Sequence, residues 1–143
     1  MPNNKRNKSK GGNRPQQYTG KNKDPMGDSG RMEQYATNIF RDMCRGKYNL
    51  DNIFEFQNRD FVYAAIRAAE KNHRRHDILK TALQFTYGQS DDVDVIALTN
   101  IEQQTCFGWQ YIVSTLYGYM QTNDLGMLVG MAQKLASNRN LRL

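Results

Sequence analysis

Cysteine, histidine and proline are scarce in this chain of 143 residues, with two, two and three copies respectively. Two cysteines do not make a disulfide framework, and such sparing use suits an intracellular, reducing compartment. Neither cysteine has a second one at close spacing, and no C-x-x-C or H-E-x-x-H pattern occurs. Arg74 and Arg75 between His73 and His76 would repel a cation, so no metal site is expected. A G-x-S-x-G elbow and a Walker phosphate loop are also missing, and no catalytic residue and no cofactor is expected. No apolar run reaches the roughly 18 residues that suggest a membrane span. The start, Met1-Pro2-Asn3-Asn4-Lys5-Arg6, has no apolar stretch behind it of the kind a secretory signal needs. The expectation is a non-secreted protein without a membrane partner.

Acidic residues are nearly missing from the first 31 positions, and this locates the net charge of +6. Lys5, Arg6, Lys8, Lys10, Arg14, Lys21, Lys23 and Arg31 face only Asp24 and Asp28, which accounts for the whole excess. Residues 32–143 are formally neutral. Large apolar side chains are equally sparse in residues 1–31, where only Met1, Tyr18 and Met26 occur. Ordering a residue costs about 1–2 kcal/mol of backbone entropy, which so little apolar surface does not offset. Residues 1–31 are therefore expected to form a disordered or partner-ordered basic arm, punctuated by Gly11-Gly12, Pro15, Gly20, Pro25, Gly27 and Gly30.

Residues 32–143 read as an all-α domain, a compact bundle of five or six helices. Tyr35, Ile39, Phe40 and Met43 form a helical stripe within 32–45, with Gly46 as its stop. Ile53, Phe54 and Phe56 are expected to pack beneath a short link. Asn58 is a good N-cap for a helix to about Asn72, with Phe61, Val62, Ala65, Ile66 and Ala69 inward. A turn is expected at 71–76, then a helix burying Ile78, Leu79, Ala82, Leu83 and Phe85. The β-branched stretch Val93–Leu98 favours a short helix over a strand. The longest apolar element is 101–121, carrying Cys106, Trp109, Ile112, Val113, Leu116 and Met120. Gly108 and Gly118 inside it imply neighbours at close approach. Asn123-Asp124 opens a last helix with Leu125, Leu128, Met131, Ala132 and Leu135 inward. Residues 78–84 faintly echo 127–133, which leaves a short helical solenoid as the minority reading.

Charge is also uneven within the domain. Six basic residues lie between Arg59 and Lys80, whereas Thr81 to Gln133 holds no Lys or Arg and five acids. The cluster Lys71-Asn72-His73-Arg74-Arg75-His76 is the densest candidate site, since exposed arginines at a turn can hold phosphate in bidentate fashion. Asp91-Asp92-Val93-Asp94 lacks the EF-hand pattern and reads as an acidic helix start. The small-residue spacing of Gly126 and Gly130 reads as packing within the domain.

These features point to a non-enzymatic nucleic-acid-associated structural or assembly protein. Lys5, Arg6, Lys8, Lys10, Arg14, Lys21 and Lys23 of the arm, with Lys71, Arg74 and Arg75, are the expected phosphate contacts. RNA is preferred over DNA, because no segment reads as a helix-turn-helix or zinc finger. The layout is similar in organisation alone to ribosomal and viral coat proteins. The alternative is a small helical adaptor or assembly subunit that meets another protein through the Trp109–Met131 region.

Overall fold

The computed structural model describes residues 27–87, 93–138, 141 and 143, the side chains of 27, 28, 87 and 93 excepted. The chain forms α1 (Gly27–Cys44), α2 (Leu50–Phe54), a 3-10 turn (Glu55–Gln57), α3 (Arg59–Tyr87), α4 (Val93–Thr122) and α5 (Leu125–Ser137). No strand occurs among the described residues, so the fold is all-α. No helix among them is long and apolar enough to cross a membrane. The expected arm, apart from Gly27–Arg31, lies outside the described residues; those last five positions are already helical, within α1.

Local chemistry fixes the helix ends. At the end of α1, Gly46 has φ +76°, its N–H donates to Met43 O at 2.9 Å, and the Lys47 N–H donates to Asp42 O at 2.7 Å. This is the glycine-terminated Schellman pattern. Asn49 caps α2 by accepting from the Asn52 N–H at 2.9 Å. Asn58 Oδ1 accepts from the Asp60 N–H at 2.9 Å as α3 begins, at the expected cap. Between α4 and α5 two residues suffice: Asn123 turns the chain at φ +55°, a conformation asparagine tolerates, and Asp124 Oδ1 takes the Gly126 N–H at 2.9 Å.

Four helices make the body of the bundle. α3 and α4 pair as an antiparallel hairpin, α1 packs on α3, α5 packs on α4, and α1 and α5 meet each other. The core is aromatic at its centre. Phe40 stands 6.1 Å from both the Phe56 and Trp109 rings, and Phe56 meets Phe61 edge-on at 5.0 Å. Tyr119 is buried and donates its hydroxyl to Phe56 O at 3.2 Å, tying α4 to the 3-10 turn. Ala64, Ala65, Ala68 and Ala69 give α3 a thin waist that lets its neighbours approach. From α5, Leu128, Met131, Ala132 and Leu135 close the core. The glycines of α4 do admit neighbours: a Cβ at Gly108 would lie 3.1–3.2 Å from Leu143 and Leu141, and one at Gly118 would lie 2.8 Å from Met127 Cε. Gly130 faces nothing within 4 Å, and at Gly126 a Cβ would meet only the Asp124 side chain. Those two glycines are therefore not a helix-contact motif.

Three expectations about the hairpin need correction. The expected turn at 71–76 does not exist, because α3 runs unbroken from Arg59 to Tyr87. Prolines occur only at positions 2, 15 and 25, and residues 59–87 contain no glycine either. Nothing there interrupts the helix, and lysine and arginine are good helix formers. The polar cluster is part of the helix, with Lys71, Arg74 and Arg75 exposed, Asn72 buried and His73 and His76 half-buried. Likewise 93–98 and 101–121 are one helix, α4, without a break. Third, Ile78, Leu79, Ala82 and Phe85 are exposed rather than core, with Phe85 93% accessible, and Leu83 is only half-buried. Helices of 29 and 30 residues are about 45 Å long, whereas α1 with 18 and α5 with 13 cover about 27 and 20 Å. The hairpin outruns its partners. Phe54, also expected to pack, is exposed beside the buried Ile53 and Phe56.

Candidate nucleic-acid interface

Arg67, Lys71, Arg74 and Arg75 follow one another at intervals of four, three and one along α3, so they share a helix face. That face passes the start of α1. Glu33 of α1 reaches across to accept from Arg67 Nε at 3.0 Å and from Lys71 Nζ at 2.7 Å. Partial burial pushes the Glu33 carboxyl up, but the hydrogen bonds and charges of Lys71 and Arg67 outweigh it and hold the group below its ordinary value. Arg75 Nη2 donates to Asn72 Oδ1 at 2.6 Å, and the Asn72 amide in turn donates to Ala68 O at 2.8 Å. Arg74 is exposed. Beside these groups, Tyr117 of α4 donates its hydroxyl to Glu70 at 2.6 Å.

Two open grooves flank the row. One, of about 590 Å³, has Arg67, Glu70, Lys71, Arg74, Arg75, Ile78 and Leu79 along its described wall. The other, of about 570 Å³, brings Gly30, Glu33, Thr37 and Arg41 of α1 against Lys71, Asn72 and Arg75. Gly30 is in the first turn of α1, so the chain enters the domain beside the cation row. Of the expected phosphate contacts, Lys71, Arg74 and Arg75 come together on one helix face, but on a helix surface and not at a turn. Lys5, Arg6, Lys8, Lys10, Arg14, Lys21 and Lys23 lie outside the described residues. Sequence reasoning missed Glu33 and Arg41. Only the packing of α1 on α3 brings Glu33 to Arg67, which lies 34 positions away.

The two histidines face α4. His73 Nδ1 lies 3.1 Å from Cys106 O and 3.4 Å from Cys106 Sγ, and His76 Nδ1 lies 2.8 Å from Glu102 Oε2. A thiol beside an imidazole has the layout of a nucleophile and its base. The thiol chemistry opposes that use. Burial pushes Cys106 up, and the Asp77 carboxylate pushes it further, whereas a reactive cysteine needs a stabilised thiolate. No group of three or more His, Cys, Asp or Glu side chains among the described residues is placed to hold a metal ion. Trp109 and Met131 are fully buried, so Trp109 is not a platform for stacking bases, while Tyr117 between them is exposed.

Compared with known proteins, the chain matches no family model, no curated protein and no solved structure at a significant level.

Proposed function

We propose that the protein is a non-enzymatic nucleic-acid-associated assembly protein of an intracellular, reducing compartment, which grips a phosphate backbone with its basic N-terminal segment and the α3 cation row. The observation that carries this reading is adjacency. The segment before α1 holds the excess positive charge, and it joins the domain at Gly27–Gly30, beside Lys71 and Arg75. One polyanion can therefore touch both. Glu33 holds Arg67 and Lys71 in place, while Arg74 and Arg75 are exposed, Arg75 with one guanidinium nitrogen on Asn72, and supply charge-assisted contacts to phosphate. Backbone contacts of this kind release counterions and carry little sequence preference. A single-stranded RNA is the preferred ligand, since a flexible cationic segment follows an irregular backbone without fixed geometry.

The test is the salt dependence of binding to labelled single-stranded RNA and duplex DNA by the full chain. Removing one cation that neutralises a phosphate should reduce the slope of log affinity against log salt by about 0.7 for a single strand or about 0.9 for a duplex. The variant Lys5→Gln/Arg6→Gln/Lys8→Gln/Lys10→Gln should flatten the slope most, and Arg74→Gln/Arg75→Gln should flatten it by the equivalent of about one to two phosphates. Weak binding by the parent chain at low salt, or slopes untouched by both variants, contradicts the reading.

The exposed apolar side chains Ile78, Leu79 and Phe85 of α3 and Ile96, Leu98 and Ile101 of α4 support the second reading, a helical adaptor or assembly subunit that meets another protein.

A further inference from the structure

Toward the start of α3 the cation row is interleaved with aromatic rings. Arg59, Tyr63, Arg67 and Lys71 follow at steps of four, so they stand one above the next along one side of the helix. The Arg59 guanidinium lies over the Tyr63 ring, 5.9 Å from its centroid, yet Tyr63 is 46% exposed. Glu70 lies seven residues beyond Tyr63 on the same side, two turns or about 10 Å along the axis. There α4 contributes a second ring. Tyr117 donates its hydroxyl to Glu70 at 2.6 Å and is 48% exposed. That hydrogen bond to the carboxylate holds the Tyr117 phenol above its ordinary value, so it stays a neutral donor tied to α3.

These two rings differ from the other tyrosines of the bundle. Tyr35, Tyr48 and Tyr111 pack against the core and Tyr119 lies within it. Tyr63 and Tyr117 instead leave aromatic surface in solvent beside a row of cations. A base has a π-face whatever its sequence, and it stacks on such a ring while neighbouring cations neutralise its phosphates. The carboxylates of this surface do not cancel its charge. From Arg59 to Arg75 it holds Arg59, Arg67, Lys71, Arg74 and Arg75 against Asp60, Glu70 and the Glu33 that α1 contributes. Glu33 is engaged by Arg67 and Lys71, and Glu70 by Tyr117.

We propose, resting on the phosphate-binding reading above, that Tyr63 and Tyr117 are base-stacking positions for a single-stranded RNA whose phosphates lie along Arg67, Lys71, Arg74 and Arg75. The two turns between Tyr63 and Glu70 span about three nucleotides at a rise of about 3.4 Å each. A duplex keeps its base faces within its own stack, so the rings add affinity for single strands alone.

The test is binding of the full chain to a labelled oligoadenylate RNA of about 15 nucleotides, to an abasic strand of the same length and charge, and to duplex DNA. The parent chain should bind oligoadenylate at least about tenfold more tightly than the abasic strand. Tyr63→Ala and Tyr117→Ala should each weaken oligoadenylate binding about fivefold or more, with the abasic strand, the duplex and the salt slope unchanged. Tyr63→Phe keeps the ring and should keep the affinity, and circular dichroism should show the helices retained in every variant. Arg74→Gln/Arg75→Gln should instead weaken all three ligands and flatten the salt slope. Equal affinity for oligoadenylate and the abasic strand, or tyrosine variants that lose both alike, overturns the stacking positions and leaves the phosphate reading standing. Weak binding of all three ligands at low salt overturns both.

Discussion

The two halves of α3 have the same secondary structure and opposite circumstances. From Phe61 to Asn72 the helix is packed by α1 and α4, and Phe61, Val62, Ala65 and Ala69 are all buried. From Ile78 to Phe85 it has only α4 beside it among the described residues, and Ile78, Leu79 and Phe85 are exposed. α4 mirrors this, bare at Ile96, Leu98 and Ile101 and buried at Trp109, Ile112 and Leu116. Apolar residues at helical spacing occur in both halves, so periodicity forms the helix everywhere but burial is decided by what lies alongside. In the base the apolar side chains form the core of the bundle; at the tip they stay exposed.

The sharpest way to break this contrast is truncation on either side of it. Trp109→Ala should cost about 3–5 kcal/mol of unfolding free energy, as large core truncations do, whereas Ile78→Ala should cost no more than about 0.5 kcal/mol in dilute monomer. Denaturant unfolding measures both, and a comparable loss at Ile78 would mean that the tip is packed. The buried Trp109 Nε1 has no hydrogen-bond partner among the described residues, so Trp109→Phe should cost clearly less than Trp109→Ala.

A smaller effect belongs to the ion pairs that bind α1 to the base. Glu33→Gln should lower stability by about 1 kcal/mol or less, because Arg67 and Lys71 are substantially solvated. The folded Glu33 carboxyl is held below its ordinary value, so its contribution is fully present above that value and is lost as pH falls through the folded one. Stability against pH should therefore decline less steeply in acid for Glu33→Gln than for the parent chain. An identical acid limb in both would remove Glu33 from the base. The smallest effect concerns the thiols. Burial pushes Cys44 up to about 11 against the pull of Arg45, and burial also pushes Cys106 up. Both should alkylate slowly at pH 8 in the native protein and quickly once unfolded; rapid native labelling of Cys106 would show the hairpin interface opening at its midpoint.

Much of the architecture was legible because it depends on neighbours in sequence. The stripe of Ile39, Phe40 and Met43, the caps at Asn58 and Asp124, the stop at Gly46 and the close approach at Gly108 and Gly118 all express local rules. The failures came where a rule needed three dimensions. Lys71-Asn72-His73-Arg74-Arg75-His76 has the composition of a turn, yet nothing in it breaks a helix, and its polar groups divide between solvent, Glu33 and α4. Ile78 and Phe85 have core spacing but no element among the described residues to cover them. Of the candidate site, the three cations on α3 were legible by composition. The clamp by Glu33 was not, since it depends on how α1 packs.

Hydrogen exchange along α3 in dilute monomer tests the division of the molecule most directly. Amides from Phe61 to Asn72 should exchange only through global unfolding, and protection should fall progressively beyond His76 to near that of an isolated hairpin by Phe85. Uniform protection from Phe61 to Phe85 would contradict the bare tip.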